Sequence, residues 1–319
     1  MALLRYLLLR IIQSVLLLFL VSIITFVLVN KAPGLPEIVA DLDITEEEQD
    51  RMIRNLGLDL PIHVQYLDWA EGVIHGDIGN SYLSGRPVID LIKKALPASI
   101  KLAGASLIIA IIISIPVGIF SALKRYSILD YLVTAFSFIG ASIPGFWYAL
   151  LLILLFGVTL GWLPTSGSHP IGEEVTFFNS IPHFIMPSLV LSTAAMAQLT
   201  RYTRSSMIEI LRKDFIRTAH AKGLQAKIVV LRHALINSLF PIITVVALLI
   251  PSLIGGAAIV ELVFAWPGIG RLAIDSALKR DYPTVMGITL LISAITIFSN
   301  LAIDVAYVFL DPRLRAEDL

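Results

Sequence analysis

The sequence contains no cysteine, and charged residues make up only 15% of its 319 residues. The lack of cysteine excludes disulfides, thiolate metal sites and a cysteine nucleophile. Soluble chains carry about 25% charged and 45–50% apolar residues, whereas 57% of this chain is hydrophobic. This excess excludes a disordered chain and argues against a water-soluble enzyme. The formal net charge of +0 also lacks the basic excess typical of nucleic-acid binders, so no nucleic-acid partner is expected.

The apolar residues are concentrated in blocks. Residues 11–29 contain no charge and are long enough to cross a hydrocarbon core of about 30 Å. Further blocks lie near 102–123, 132–160, 185–199, 239–263 and 285–310. The sequence therefore predicts an all-α polytopic membrane protein with six transmembrane helices. Pro116, Pro144 and Pro251 lie within these blocks and are expected to kink their helices.

The first block follows Arg5 and Arg10, as the apolar part of a signal peptide would. It exceeds the usual length of about 7–15 residues, and Val29-Asn30-Lys31 offers no small-x-small cleavage site. We therefore favour an uncleaved membrane helix.

The distribution of basic residues predicts the orientation. The segment 200–238 has only Glu209 and Asp214 as acids, whereas acids outnumber bases in 31–98. Both termini and the segment 200–238 are therefore expected in the cytoplasm. The bases of that segment are Arg201, Arg204, Arg212, Lys213, Arg217, Lys222, Lys227 and Arg232.

We expect four parts along the chain: an N-terminal transmembrane helix (1–30), an extracytoplasmic helical region (31–98), a core with five transmembrane helices (99–310) and a cytoplasmic tail (311–319). Thr45 and Glu48 form a capping-box pattern before a helix that Gly57 is placed to end. Pro61 is expected to open a second helix that ends near Gly76, and Pro87 a third that leads into the second span.

The cytoplasmic segment 200–238 reads as a helix over 206–222, a break at Gly223 and a helix over 227–239. Ala219, Ala221 and Ala226 are small side chains that would let another surface approach closely. A basic loop that only fixes the topology remains the alternative. The length and the helical pattern favour a docking element.

Specific motifs lie within this segment. Arg217-Thr-Ala-His-Ala-Lys-Gly-Leu224 is followed by Arg232-His-Ala-Leu-Ile-Asn237 and Pro241. The order resembles the cytoplasmic loop of type I ABC importer permeases, in particular the first permease subunit of the dipeptide/oligopeptide/nickel group. Where the wider class has Glu-Ala-Ala-x-x-x-Gly, Arg217, Thr218 and Ala219 stand here, as in the peptide branch. Phe264-Ala-Trp-Pro-Gly-Ile-Gly270 and Leu310-Asp-Pro-Arg313 also fit the family.

The resemblance implies a subunit of the plasma (inner) membrane of a prokaryote. It implies one half of a heterodimeric pore, with a paralogous second permease subunit as the other half. Two cytoplasmic ABC ATPase subunits and an extracytoplasmic substrate-binding protein are the other expected partners, besides membrane lipid. The chain lacks Gly-x4-Gly-Lys-Ser/Thr, so ATP and Mg²⁺ are expected on the ATPases, and neither a cofactor nor a metal site is expected here.

The resemblance also assigns candidate site residues. ATPase coupling is expected from Arg217, Thr218, Ala219, Lys222, Gly223 and Leu224, with Arg232 and His233 supporting. Contact with the binding protein or a role at the gate, or else packing against the second permease, is expected for Trp266, Pro267, Gly268, Gly270, Asp281 and Tyr282. Helix packing or pore lining is expected for Pro144, Pro251, Glu261, Asn300 and Asp304.

The substrate is the least determined feature. Peptides are favoured, and nickel or metal chelates, glutathione and oligosaccharides are the alternatives within the same architecture. A membrane enzyme or a self-sufficient channel is the alternative from another class. An enzyme would need a catalytic group in the bilayer, where Asp304 has no companion.

Overall fold

Helices dominate the chain, as the composition predicts. The computed structural model describes the backbone at residues 2–32, 34–39, 45–170, 172, 174 and 176–310, with side chains described there except at 2–8, 177, 240, 256 and 304–310. Within those ranges the only β-pairing is an isolated bridge between Asn80 and Pro87. The all-α prediction is confirmed.

The helices follow the chain in a simple order. They are α1 (Ala2–Lys31), α2 (Glu46–Asn55), α3 (Ile62–Ile74), α4 (Val88–Leu123), α5 (Ile128–Ser142), α6 (Gly145–Leu152), α7 (Phe177–Leu211), α8 (Asp214–Ala221), α9 (Ala226–Ile228), α10 (Ile236–Val263), α11 (Ile269–Leu278) and α12 (Tyr282–Leu310). Two π-helical turns, Ile153–Thr159 and Val229–Leu235, continue α6 and precede α10.

Four single helices are long and apolar enough to cross a membrane: Leu9–Lys31, Val88–Leu123, Phe178–Leu211 and Tyr282–Ile303. Two bent pairs also qualify, Ile128–Ser142 with Gly145–Thr159 and Ala226–Leu239 with Pro241–Gly255. The described chain therefore has between 4 and 6 candidate spans, the larger number applying if each bent pair is one span. The block near 185–199 is the middle of a longer helix, because α7 extends in both directions into polar sequence.

The sharpest bend lies where proline was expected to break a helix. The axes of α5 and of the helix that follows differ by 102°. Ile143, which precedes Pro144, is extended (φ −73°, ψ 125°), as the clash with a following proline ring favours. A second bend of 48° lies at Pro241, whereas Pro116 and Pro251 lie inside α4 and α10, where no break in the helix occurs.

The contacts divide the chain into two units. One comprises Met1–Ser99 with Pro267–Leu319, and the other comprises Ile100–Trp266. In the first unit α1 packs against α12 and α3. In the second, α7 is central, since it packs against α5, α6 and α10.

The described part of the region 31–98 in the first unit has the predicted helix boundaries. The hydroxyl of Thr45 accepts from the backbone N–H of Glu48, and the Glu48 carboxylate accepts from the backbone N–H and hydroxyl of Thr45. These hydrogen bonds lower the pKa of Glu48. Gly57 and Gly76 have positive φ values of 66° and 85°, just beyond the ends of α2 and α3.

Helix α3 lies against the membrane-spanning helix α1. The hydroxyls of Ser22 and Tyr66 are 2.9 Å apart, and the rings of Phe26 and Tyr66 meet edge to face at 5.3 Å. The region 31–98 is therefore not a free aqueous module, because one of its helices packs on the first span.

In the second unit α4 and α7 approach closely at a glycine. A Cβ at Gly118 would lie 2.7 Å from Cβ of Thr203, whereas a Cβ at Gly104 on the same helix would have no atom of another element within 4 Å.

We expect Gly118→Ala to destabilise the chain by about 1–3 kcal/mol, because the added methyl overpacks the α4–α7 contact. Gly104→Ala is the matched control and should be neutral or stabilising, since alanine is the better helix former. Thermal unfolding of the purified protein in detergent measures both. Equal melting temperatures for the two variants would contradict the assigned α4–α7 contact.

Candidate functional site

The segment between α7 and α10 forms a short helix set off by a turn on each side. The predicted single helix over 206–222 is wrong, because α7 continues to Leu211 and the chain then turns at Arg212 and Lys213. Lys213 is extended (φ −70°, ψ 150°). The next residue, Asp214, begins α8, where its negative charge suits the positive end of the helix dipole.

Helix α8 packs against the other helices of the second unit through one apolar face. Ile216 and Ala219, three residues apart on that face, are buried in a cluster with Ala122, Met207, Val229 and Ala234. Ala219 is only 6% exposed, so its methyl packs inward, and it is not available for another protein to approach as the sequence suggested. Its contribution is to hold α8 on this cluster, which we call the α8 seat.

The exposed side chains of α8 and of the turn that follows it combine basic and apolar groups. The Phe215 side chain is 43% exposed, and the Arg217 side chain is 78% exposed. Thr218, Lys222 and Leu224 are also exposed. The sequence analysis missed Phe215, although its place next to Ile216 and off the buried face was a usable signal. We call Phe215, Arg217, Thr218, Lys222 and Leu224 the docking face.

Gly223 ends α8 in the way the sequence predicts. Its φ is +77°, a conformation that favours glycine. The Gly223 N–H donates to the carbonyl of His220, and the Leu224 N–H donates to that of Ala219, which is the Schellman pattern. A Cβ at Gly223 would have no atom within 4 Å, so only backbone strain opposes a side chain there.

The predicted second helix, 227–239, exists as α9, the π-helical turn and the start of α10. Val229 and Ala234 of that turn are buried in the α8 seat. Arg232 is exposed and His233 is half-buried, so Arg232 lies outside the seat. The segment from Ala226 thus runs into α10 without an intervening loop.

An ion pair between a buried acid and a half-buried arginine, next to the α8 seat, was not anticipated. Arg204 on α7 donates to both carboxylate oxygens of Asp130 on α5, from Nε at 2.6 Å and from Nη2 at 2.8 Å. The sequence analysis counted Arg204 only among the bases that set the orientation. The two partners are 74 positions apart, so no local pattern pointed to their pairing.

Most of the residues expected to meet a binding protein are buried within the chain. Trp266 in the second unit meets the ring of Phe184 edge to face at 4.5 Å. In the first unit Gly268, Gly270, Asp281 and Tyr282 are buried, and Pro267 is exposed. Contact with a binding protein stays a prediction for this set. The buried members pack against other residues of the same chain.

Asp281 organises the start of α12 in the first unit. Its carboxylate accepts hydrogen bonds from the hydroxyls of Ser81 and Thr284, at 2.6 Å and 2.7 Å, and from the Tyr82 backbone N–H at 2.9 Å. Burial, followed by the nearby Asp281 carboxylate, raises the pKa of Tyr82 to about 12. The segment 80–87, which we call the strap, is therefore fixed to α12 by one buried acid.

The residues expected in packing or in the pore are scattered. Pro144 lies at the 102° bend and Pro251 inside α10. Glu261 is fully buried, and its carbonyl accepts from the Trp266 N–H at 2.8 Å. Asn300 lines a small cavity with Arg10 and Ser14, and the side chain of Asp304 lies outside the described residues.

No group of three or more histidine, aspartate or glutamate side chains that could hold a metal ion occurs among the described residues.

Comparison with known proteins gives a consistent match over the length of the chain. Residues 114–316 match the family described as binding-protein-dependent transport system inner membrane component. Residues 3–103 match the corresponding N-terminal membrane component.

Individual relatives are similar over nearly their full length. The oligopeptide transport system permease protein AppB of Bacillus subtilis (strain 168) is 43% identical over 312 residues, which cover 97% of this chain and 99% of AppB. The dipeptide transport system permease protein DppB of Escherichia coli (strain K12) is 37% identical, with 92% of this chain and 94% of DppB covered.

A solved structure of the MetNI methionine ABC transporter, in inward-facing conformations, shares the fold. The TM-score is 0.56 at 19% identity, with 68% of this chain and 94% of that chain covered. At this identity the likeness is one of fold alone.

We expect Asp281→Ala to destabilise the first unit, because three donors lose their acceptor at about 1–3 kcal/mol for each buried group left unpaired. The matched control is Asp275→Ala, which removes an exposed pair with Arg271 (3.5 Å) that is worth about 0–1 kcal/mol. Thermal unfolding and protease cleavage within 80–87 are the measurements. Unchanged cleavage in Asp281→Ala would contradict the anchoring role.

Proposed function

The chain belongs to the family of binding-protein-dependent transport system inner membrane components, and we propose that it is the permease subunit of an ATP-driven importer of di- and oligopeptides. Family membership makes it a multi-pass membrane subunit of a transport system that depends on a binding protein. The peptide substrate is supported by AppB and DppB, which are named for oligopeptide and dipeptide transport.

The observation that carries the mechanism is the position of α8. A helix that presents Phe215 and Arg217 outward, with Leu224 exposed in the turn after it, and that is held by Ile216 and Ala219 inward, has one side for a partner and one for its own chain. Such a helix transmits force in both directions, because the packed face cannot slide without disturbing the α8 seat.

We assign a cytoplasmic ATPase subunit as the partner on the docking face. Apolar anchors ringed by polar and basic groups are the usual composition of a protein-binding patch. Arg217 and Lys222 add positive charge and suit an acidic rim on the ATPase. In the same scheme ATP and Mg²⁺ bind to two ATPase subunits, and this chain contributes no catalytic group.

Coupling then follows from a two-state scheme. ATP closes the ATPase pair, and the docked α8 moves with its ATPase and displaces the ends of the helices at the α8 seat. The gate responds only if these contacts differ in free energy between the open and closed states. Rigid-body movement of packed helices is the simplest form of such a transition.

The remaining partners complete the pore. A paralogous second permease forms the other half, and an extracytoplasmic binding protein delivers the peptide. On the extracytoplasmic side we assign the first contact to the exposed parts of the region 31–98 and to Pro267. With the cytoplasmic orientation of α8, this assignment places both termini in the cytoplasm.

The substrate class is tested on the assembled importer. The chain is purified with its native permease, ATPase and binding-protein partners in nanodiscs, and ATP hydrolysis is measured with the binding protein loaded with a mixture of di- and oligopeptides. We expect peptide to stimulate hydrolysis. Stimulation by nickel chelates, glutathione or oligosaccharides instead would replace the peptide assignment, and a chain that conducts solute without an ATPase would overturn the importer.

The docking face is tested at Gly223. Gly223→Arg forces a residue with a Cβ into left-handed backbone at about 1–2 kcal/mol, so we expect about a tenfold loss of peptide-stimulated hydrolysis and of transport. The complex should still assemble, because the α8 seat is unchanged. Gly223→Asn is the control, since asparagine tolerates positive φ, and it should stay close to wild type. Wild-type coupling in Gly223→Arg would contradict the assignment of α8.

A further inference from the structure

The Asp130 carboxylate is fully used by three separate parts of the second unit. Oδ1 accepts from Arg204 Nε on α7 and from the Ser121 hydroxyl on α4, the latter at 2.5 Å. Oδ2 accepts from Arg204 Nη2 and from the backbone N–H of Tyr126 at 2.9 Å. A single buried acid, itself on α5, therefore ties the neighbouring ends of α4, α5 and α7 together.

The turn between α4 and α5 depends on the same carboxylate. Tyr126 has a φ of 63°, which residues with a side chain rarely adopt. Its N–H bond to Asp130 holds this turn. The guanidinium of Arg125 lies 4.3 Å from the centre of the Tyr126 ring and covers it.

The Asp130–Arg204 ion pair lies directly beside the α8 seat. Ser121, which donates to Asp130, directly precedes Ala122 of the seat, and Arg204 lies one helical turn before Met207 of the seat. Ile216 and Ala219 of α8 belong to the same buried cluster as those two seat residues. Any displacement of α8 thus reaches α4 and α7 within one turn of the Asp130–Arg204 pair.

We propose that Asp130 and Arg204 are positioning residues for coupling, which make the ends of α4, α5 and α7 move with α8 as one body. The inference rests on the proposed function and extends it from the docking face to the helices behind it. The forked guanidinium matches the two carboxylate oxygens in one plane, so the pair fixes direction as well as distance. Without it, α8 could shift on its seat while the spans stay in place.

If the Asp130–Arg204 pair only stabilised the fold, its neutral replacement would leave the coupling of a folded chain unchanged. Buried ion pairs often contribute little to stability relative to neutral replacements, because desolvation offsets the attraction. A neutral replacement of both partners therefore leaves a folded chain with a seat that is no longer rigid. The readout must accordingly be coupling in the assembled complex, measured as the ratio of peptide-stimulated to basal ATP hydrolysis.

The test compares three variants in the whole importer in nanodiscs, with peptide-loaded binding protein. Arg204→Lys keeps the charge and removes the fork, and the double variant Asp130→Asn with Arg204→Gln leaves no unpaired charge. Glu209→Gln is the matched control on the same helix, because its pair with Lys213 (3.1 Å) is exposed.

We expect both pair variants to assemble and to keep basal hydrolysis, while the stimulation ratio and peptide uptake fall at least about fivefold, the lower end of usual coupling factors. Glu209→Gln should match wild type. A double variant that assembles with wild-type stimulation would overturn this inference and leave the importer assignment intact. Absence of stimulation in the wild-type complex would instead overturn the proposed function.

Discussion

The hydrocarbon core imposes the constraint from which the rest of this structure follows. No water is present there to bond a free amide, so every backbone group must find its partner within the protein. Long helices such as α4 and α7 meet that requirement directly. Within the candidate spans the described irregular segments are accordingly short: the two extended residues Ile143 and Pro144 and π-helical turns that continue neighbouring helices. The reversal at Arg212 and Lys213 falls in the polar segment 200–238, where water can take over the freed groups.

The same constraint governs the buried charges. Asp130 and Asp281 are each surrounded by donors: a guanidinium, a hydroxyl and an N–H for the first, and two hydroxyls and an N–H for the second. Each acid consequently joins separate stretches of chain, α4, α5 and α7 in one unit and the strap 80–87 with α12 in the other. The donors offset the cost of burying each charge, and under the proposed function the Asp130 bonds also stiffen the helices next to the α8 seat.

What the sequence predicted well depended on local signals. The apolar blocks, the Thr45–Glu48 capping box, the break at Gly223 and the bend at Pro144 each arise from residues within a few positions of one another. What it missed depended on contacts across the chain. The inward orientation of Ala219 requires the α8 seat, and the pairing of Asp130 with Arg204 requires two helices to meet. The continuous helix over 206–222 was wrong because helix propensity does not reveal a turn that tertiary packing imposes.

The central claim is that the docking face of α8 meets an ATPase, and the absence of native cysteine makes it directly testable. A unique cysteine at Thr218 is labelled with a maleimide in the paired permeases with and without their ATPase subunits, in the absence of binding protein, beside a cysteine at Glu47 on α2 as the control. The account predicts that assembly with the ATPase slows labelling at position 218 and leaves position 47 unchanged. Equal labelling of position 218 in both states would contradict it.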